Sequence, residues 1–326
     1  MKKHRLVCFL VISVLLFSGL QPAVYAETHI KWIDFTPTRV ALEQALDYDV
    51  KTKDSSFHID WITLLALVAT ANGGDFSGYQ KKQMDTMAEK LSTGQDPFSI
   101  VKNQKLLRYY IEAYKTILGG MVGEYTAVKK NLDGSEVRET HYGLRVFSPI
   151  ASGFSYSHYD DFGVSRSYGY KRRHLGHDII GSIGTPIIAV ESGYVEACGW
   201  NQYGGWRIGI RSFDGNRYYY YAHLRKDHPY ADLYEGKIVN AGEVIGYLGM
   251  TGYSAKKNVN NINVPHLHFG LEIIFDTSQK DGWNQIWLNL YPLTDFLSSN
   301  CSKTYRNTES GDSESYVYYE YPETPD

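Results

Sequence analysis

The chain has 326 residues and a formal net charge of −3 at pH 7, with 33 basic against 36 acidic side chains. This near balance lacks the basic excess of a nucleic-acid-binding protein, so we expect no nucleic-acid partner. The length suits about two domains, and three cysteines are too few to define a disulfide framework.

The N-terminus predicts export. Lys2, Lys3 and Arg5 precede an apolar run over residues 6–20, and Ala26 ends a cleavage site, which is the pattern of a secretory signal peptide over residues 1–26. The run is shorter than the roughly 20 apolar residues of a membrane span, so we expect no stable span after cleavage. The predicted location is extracytoplasmic, secreted or in the cell wall. An uncleaved N-terminal membrane anchor is the alternative.

Residues 27–140 predict a helical N-terminal domain. Asp60 is an N-cap candidate for an apolar segment over residues 61–72, which a pair of glycines ends. Residues 79–91 and 98–118 place methionine, leucine and aromatic side chains at helical spacing. Such stripes are more often core than a cofactor site, so we expect a small helical bundle whose role the sequence leaves open.

Short strands with turns predict an antiparallel β domain over residues 141–300. Residues 213–216 have the composition of a hairpin turn between strands over 206–211 and 217–224. Residues 281–296 predict a closing strand and a short helix. The predicted class is therefore α+β, with a helical N-terminal domain followed by a β catalytic domain.

The C-terminal residues 301–326 are polar and acidic, with a short tyrosine-rich stretch flanked by acids and prolines. Such a composition buries little apolar surface, so we expect a disordered tail.

Two histidines separated by one leucine, His266 and His268, lie in an apolar segment that predicts a strand. Residues two apart on a strand project to the same face, so both imidazoles point into one site. His174 and Asp178 are four residues apart, and Gly176 favours an extended segment on which they also share a face. His174, Asp178 and His268 thus supply two nitrogens and one anionic oxygen. Three protein ligands with an open fourth position are typical of a catalytic zinc.

Three short segments resemble the signature motifs of a known family. They are Arg-His-Leu-Gly-His-Asp-Ile at residues 173–179, Tyr-Ala-His-Leu at 221–224 and Pro-His-Leu-His-Phe at 265–269. These are similar to the motifs of the lysostaphin-type (LytM-like) zinc metallopeptidases, which cut the peptide part of bacterial peptidoglycan. The resemblance runs from about residue 147 to residue 274.

The resemblance implies one zinc ion per catalytic domain, held by His174, Asp178 and His268. It implies that His223 and His266 are catalytic histidines that do not bind the metal. The implied substrate and partner is a peptide of peptidoglycan.

The chemistry of these residue types agrees with the implied roles. Zinc lowers the pKa of its bound water to about 7 and polarises the scissile carbonyl, and a neutral imidazole with a usual pKa near roughly 6.5 can pass the proton to the leaving amine. His266 suits this transfer because it is two residues from a ligand. Strand alternation places His223 on one face with Tyr219 and Tyr221, and we assign it to stabilising the oxyanion. Which of the two histidines is the base stays open.

Two features depart from the family pattern. His177 stands where the family has a small or apolar residue, and on a strand it faces away from His174 and Asp178, so we expect a packing role. The loop of residues 254–264 is longer than the glycine-rich link that usually precedes the strand of His266 and His268. Long loops of this kind shape access to a site. Together these departures resemble the sporulation branch, whose members cleave the L-alanine–D-glutamate bond of the stem peptide.

Further histidines and cysteines have weaker functional claims. His228 precedes a proline in a polar loop and is expected to be solvated, and His158 is expected in a surface loop. Cys198 is expected to be a buried small hydrophobe on a strand. A Cys198–Cys301 disulfide stays open.

The sequence therefore predicts a secreted zinc metalloendopeptidase that hydrolyses peptide bonds in peptidoglycan. One alternative is a catalytically silent LytM-like scaffold or hydrolase activator of the cell envelope, which stays open because residues 27–140 or the loop before Pro265 could block the groove. Another is a zinc carboxypeptidase that trims terminal D-alanine, which needs a closed pocket for a free carboxylate. The oligomeric state is not predicted.

Overall fold

The structure is a computed structural model that describes residues 30–131, 133–168 and 170–322. The predicted signal peptide lies outside the described residues. The helices are α1 (Arg39–Thr52), α2 (Trp61–Asn72), α3 (Lys81–Ser92), α4 (Pro97–Ile100), α5 (Gln104–Leu118) and α6 (Tyr291–Leu297). The strands are β1 (Val122–Lys130), β2 (Glu136–Leu144), β3 (Tyr156–His158), β4 (Ser165–Tyr168), β5 (Tyr170–Arg173), β6 (His177–Gly181), β7 (Pro186–Ile188), β8 (Gly193–Asn201), β9 (Gly205–Ser212), β10 (Arg217–Ala222), β11 (Ile238–Val239), β12 (Val244–Tyr247), β13 (His266–Ile273), β14 (Ile286–Trp287), β15 (Thr304–Arg306), β16 (Ser313–Ser315) and β17 (Val317–Glu320).

Helix α2 forms as the sequence predicts. The Asp60 side chain accepts a hydrogen bond from the Thr63 N–H at its start, and Gly73 ends it with a left-handed φ of 65°. The predicted helix over residues 98–118 is instead two helices, α4 and α5. Val101 is extended between them, and the Asn103 side chain caps α5 by accepting from the Leu106 N–H. The prediction of a helical N-terminal region is confirmed.

The helical region is shorter than predicted. Helix α5 ends at Leu118, and β1 and β2 follow as an antiparallel hairpin, so the assignment of helix up to residue 140 is wrong beyond α5. The cause is the Asp133-Gly134 pair, in which Gly134 has a φ of 84° and the Asp133 carboxylate accepts from the Ser135 N–H. An Asp-Gly turn of this kind joins two strands.

The antiparallel β domain is confirmed. Its largest sheet has the order β11-β8-β9-β10-β13-β6-β3, with β14 paired to β13, and every pairing in it is antiparallel. The predicted hairpin between β9 and β10 is present, as are the closing strand β14 and helix α6. Strand β13, which carries both predicted histidines, lies in the middle of the sheet between β10 and β6.

The C-terminal segment is structured, so the prediction of a disordered tail is wrong up to residue 322. Strand β17 pairs with β1, and β15 pairs with β16. Tyr321 is buried and donates a hydrogen bond of 2.6 Å to the carbonyl oxygen of Arg145. Tyr319 packs on Phe147 with ring centroids 4.5 Å apart. Because these aromatic side chains pack on residues 145–147, an acidic composition does not keep the segment unfolded.

One hydrophobic cluster joins the helices to the β domain. It includes Leu64 and Tyr114 from the helices and Phe269 and Phe296 from the C-terminal half. The buried guanidinium of Arg217 on β10 reinforces the junction, since it pairs with Glu191 at 2.8 Å and donates to the carbonyl oxygen of Thr116 on α5 at 2.9 Å. The helices therefore pack against the β domain, next to the strand β10 of its largest sheet.

Two smaller predictions concern cysteines and membranes. Cys198 and Cys301 are free thiols, which answers the question of their pairing. Among the helices of the described residues, none combines the length and hydrophobicity needed to cross a bilayer.

Candidate metal centre

The site is built on three adjacent strands. His268 on β13 pairs with Asp178 on β6 and with Ala222 on β10. His266 and His268 both face the groove, whereas Leu267 between them is fully buried on the other side of the sheet. The predicted shared face of the two histidines follows from the alternation of β13.

His174 lies next to Asp178 and His268, but its backbone is not part of the strand that carries Asp178. It lies just after β5 and before β6, outside any strand, so the expectation that one extended segment aligns it with Asp178 is wrong. The turn at Gly176 changes the chain direction, and it brings the His174 Nε2 within 3.0 Å of Asp178 Oδ1 and 3.0 Å of His268 Nδ1. The separation of His268 Nδ1 from Asp178 Oδ1 is also 3.0 Å.

The three donor atoms therefore form an equilateral triangle, and they are the donors that could hold a metal ion. In a tetrahedral site with metal–ligand bonds of about 2.0–2.1 Å, ligand atoms are about 3.3 Å apart. The triangle is close to that size, so the residues fit a tetrahedral cation with one position on the groove side free of protein ligands.

Two residues that sequence reasoning missed support the donors. Asp161 lies against the other ring nitrogen of His174, with its carbonyl oxygen 3.3 Å and its carboxylate 3.1 Å from Nδ1. Arg166 donates to the second carboxylate oxygen of Asp178 at 3.0 Å and also pairs with Asp161. Such outer contacts fix the orientation of a ligand and its tautomer. Neither residue lies in a motif, so the sequence carried no signal for them.

Burial and close packing shift the pKa values of the donors. Burial alone would raise the pKa of Asp178, but hydrogen bonds from His174 and His268 lower it far below its usual value. Burial lowers the pKa of His268. For His174 burial acts in the same direction, yet its hydrogen bond to Asp178 and the charges of Asp178 and Asp161 raise its pKa overall. The lowered pKa keeps the Asp178 carboxylate ionised, the form that can bind a cation.

His223 lies beside the donors because of a break in strand alternation. Strand β10 ends at Ala222, and His223 follows with a left-handed φ of 64°. Tyr219 and Tyr221 are buried on the opposite face of the sheet, so the predicted common face with His223 is wrong. Tyr220 lines the groove instead. The positive φ turns the His223 side chain to the groove, and its ring centroid lies 4.8 Å from that of His266.

His223 and His266 lie outside the donor triangle, and each has one ring nitrogen held by a backbone carbonyl. The His223 Nδ1 lies 2.9 Å from the carbonyl oxygen of Thr251, and the His266 Nδ1 lies 2.8 Å from that of Val264. Each Nδ1 therefore carries the hydrogen in the neutral ring, and Nε2 keeps a free lone pair. The His266 Nε2 is 3.7 Å from Asp178 Oδ1. Burial and the neighbouring histidines hold the pKa of His223 well below its usual value.

An open groove of about 850 Å³ runs past these residues. Tyr253 and residues 262–264 of the long loop line one part of it, and Glu272, Gln285 and Trp287 line another. Glu272 is buried, and burial raises the pKa of its carboxyl to about 7. No residue of the helices α1–α5 is among those that line the groove.

The remaining histidines lie outside the triangle. His177 faces away from the donors as expected, and it is buried with its Nε2 2.7 Å from His158 Nδ1. His158 lies on β3 and is half-buried, which corrects its assignment to a surface loop. Burial lowers the pKa of His177 to about 3 and also lowers that of His158. His228 is exposed, as predicted, and pairs with Asp312.

Comparisons with known proteins find similar sequences for this part of the chain. The model of Peptidase family M23 matches residues 172–281, a range that contains the three donors of the triangle together with His223 and His266. The L-Ala–D-Glu endopeptidase of Bacillus subtilis (strain 168) is 36% identical over 153 residues, which are 47% of this chain and 44% of that protein. Lysostaphin of Staphylococcus simulans is 40% identical over 97 residues, 29% of this chain and 17% of that protein. The chain thus spans less than half the length of these curated relatives.

A solved structure has a similar fold over more of the chain. The crystal structure of lytM from Ruminococcus gnavus ATCC 29149 aligns with a TM-score of 0.53 and 24% identity, and it covers 85% of this chain and 93% of that one. The LytM-like fold therefore extends beyond the segment that the family model matches.

Proposed function

We propose that the protein is a zinc endopeptidase that hydrolyses peptide bonds of bacterial peptidoglycan outside the cytoplasm, in keeping with the match of residues 172–281 to the model of Peptidase family M23. His174, Asp178 and His268 hold the zinc in this proposal. The observation that carries it is the triangle of donor atoms with 3.0 Å edges, which lies open to a groove. Two nitrogens and one oxygen are a donor set that zinc accepts in catalytic sites.

A zinc ion bound there supplies a Lewis acid for the scissile carbonyl and makes a water molecule more acidic. The protein's own contribution is proton transfer. His223 and His266 each present an Nε2 lone pair in the neutral form, so either accepts a proton from the attacking water and later donates it to the leaving amine. The proposed role of His223 as a donor to the oxyanion requires its Nε2 to be protonated first. We propose His266 as the residue that moves the proton, because it is the less enclosed of the two.

The bond that we propose is the one between L-alanine and D-glutamate of the stem peptide. Its support is the 36% identity to a protein named for that bond, which spans a larger part of this chain than the match to lysostaphin. Two segments kept the alternative of a silent scaffold open, because either could block the groove. The helices α1–α5 do not line the groove, and residues 262–264 of the long loop form part of its wall, which favours the enzyme.

The experiment combines zinc analysis with mass spectrometry of digested cell wall. We expect purified protein to release new amino termini at D-glutamate, a chelator to abolish the release, and zinc to restore it. His266→Ala is expected to keep zinc and lose turnover, whereas His268→Ala loses both. Full activity in chelator would contradict metal catalysis, and equal zinc loss in the two variants would contradict the division between ligand and proton carrier.

A further inference from the structure

The groove differs in charge from the rest of the molecule. The chain has a net charge of −3, yet four arginines line the groove against two carboxylates. One carboxylate is the donor Asp178, and the other, Glu272, lies four residues along β13 from His268. The arginines are Arg166, Arg172, Arg173 and Arg207.

Only one of these arginines is neutralised within the described part of the chain. Arg166 pairs with Asp161 and Asp178. Arg172, Arg173 and Arg207 make no ion pair with any carboxylate of the described residues. Three unpaired guanidinium groups next to a site for a divalent cation create a positive potential, which attracts anionic ligands.

Arg172 is the most constrained of the three. It lies on β5, two residues before His174, and its guanidinium lies over the rings of Tyr253 and Tyr203, with its central carbon 4.9 Å and 5.7 Å from their centroids. One of its nitrogens, Nη2, donates to the Tyr253 hydroxyl. The Tyr253 ring in turn lies 5.6 Å from that of His223. The Tyr253 ring therefore contacts both the Arg172 guanidinium and His223, a candidate catalytic residue.

The other terminal nitrogen of Arg172, Nη1, is buried and has no hydrogen-bond partner among the residues that the structure describes. A buried donor without a partner costs about 1–3 kcal/mol, and such a group in a ligand groove is satisfied when an acceptor enters. The planar fork of a guanidinium matches the two oxygens of a carboxylate, and stacking on aromatic rings orders it before the ligand arrives.

We propose that Arg172 is a specificity residue that binds a free carboxylate of the substrate beside the scissile bond, so that the groove selects an anionic peptide over its amidated or neutral counterpart. This inference rests on the proposed function and deepens it. A γ-linked glutamate carries such a group, its α-carboxylate, whereas a glycine bridge carries none. A C-terminal carboxylate has the same chemistry, and the test distinguishes the two sources.

The test measures binding separately from turnover. Dissociation constants are measured by calorimetry on the full chain without zinc, which the proposed function predicts to be inactive toward the peptides. The first peptide carries L-Ala-γ-D-Glu with a free α-carboxylate and an amidated C-terminus. The second has the α-carboxamide in its place, and the third combines the α-carboxamide with a free C-terminal carboxylate. The values of kcat/KM for the same peptides are then measured on the zinc-loaded protein.

We expect the first peptide to bind about 10- to 100-fold more tightly than the second, the range of one charge-assisted hydrogen-bonding pair. Arg172→Gln is expected to bring the two within about twofold while leaving zinc content and the affinity for the second peptide unchanged. Arg172→Lys keeps part of the preference. Lys171→Gln is the matched control, because Lys171 is an exposed cation on the same strand that does not line the groove, and it keeps the full preference.

Equal binding of the first two peptides by the unmodified chain would overturn the inference, even if both were hydrolysed as the proposed function requires. A preference that follows the C-terminal carboxylate would also overturn it. Equal weakening of both peptides by Arg172→Gln would assign Arg172 a purely structural role. If the preference is found but zinc-loaded protein leaves the L-Ala–D-Glu bond intact, the carboxylate site stands and the proposed function fails.

Discussion

Gly176 is the residue whose substitution tests the metal centre most directly. A Cβ at this position would lie 2.5 Å from Cε1 and 2.6 Å from Nε2 of His268, and 3.0 Å from the carbonyl oxygen of Phe269. The backbone of Gly176 is outside the left-handed region, so alanine meets no conformational strain there. Gly176→Ala is therefore a steric perturbation of His268, one of the three proposed zinc ligands.

The size of the effect follows from the distances. Ordinary contact begins near 3.4 Å, so the His268 ring or the turn before β6 must shift by about 1 Å. Metal–ligand distances tolerate about 0.2 Å, and the three donors are already within 3.0 Å of one another. We expect zinc affinity to fall by about 10- to 100-fold or more, while the free energy of unfolding without metal falls by about 1–3 kcal/mol.

The assay is zinc binding in competition with a chromophoric chelator, with circular dichroism to verify folding. Gly78→Ala is the control, because a Cβ there has no heavy atom within 4 Å. If Gly176→Ala folded and bound zinc as tightly as the unmodified chain, the position of His268 would not depend on this contact and the reasoning would be refuted.

Three further predictions concern stability, each measured by urea denaturation. Glu272 has its pKa raised to about 7 by burial, so the folded state retains a proton that the unfolded state releases near pH 4.5, and stability falls as pH rises between these values. At pH 8 the free energy of unfolding of Glu272→Gln should exceed that of the unmodified chain by about 1–2 kcal/mol, after allowance for screening. Near pH 4 the two chains should be equally stable, and a difference in stability that does not change with pH would contradict the reasoning. Arg217→Met leaves the buried Glu191 unpaired and should cost about 3–5 kcal/mol, part of which the double variant with Glu191→Met recovers. A chain ending at Ser315 loses β17 and the buried Tyr321 and should lose at least about 3 kcal/mol, whereas an unchanged transition would favour a disordered tail.

The sequence predicted those parts of the molecule that depend on local patterns. Helix α2 has a cap at Asp60 and a glycine stop, and β13 has regular alternation, so their bounds and faces followed from spacing alone. The hairpin before β10 followed from its turn residues. In each case the local preference and the tertiary environment agree, which is the condition under which pattern-based prediction succeeds.

Predictions failed where a distant part of the chain decides the outcome. The tail is acidic and short, but its tyrosines find an apolar surface around Phe147 that only the folded sheet provides. The supporting contacts of Asp161 and Arg166 join a loop, the short strand β4 and β6. No spacing in the sequence predicts these contacts. The groove arginines are likewise scattered between residues 166 and 207. Their common position in one groove follows from the folded structure and could not be predicted from the sequence.

The site combines regular and irregular backbone for a physical reason. Asp178, His266 and His268 lie on neighbouring strands, where hydrogen-bonded register fixes their relative positions. A flat sheet face alone cannot surround an ion. The third donor, His174, and the imidazole of His223 therefore come from segments outside the strands. His223 does this with a left-handed φ of 64°, a conformation that costs about 1 kcal/mol or more for a residue with a Cβ. The bond from its Nδ1 to Thr251 maintains that conformation, and a Cβ at the adjacent Gly252 would lie only 3.0 Å from the same nitrogen. Such strained conformations cluster at functional sites, and this one lies beside the three converging donors, as the proposed role of His223 requires.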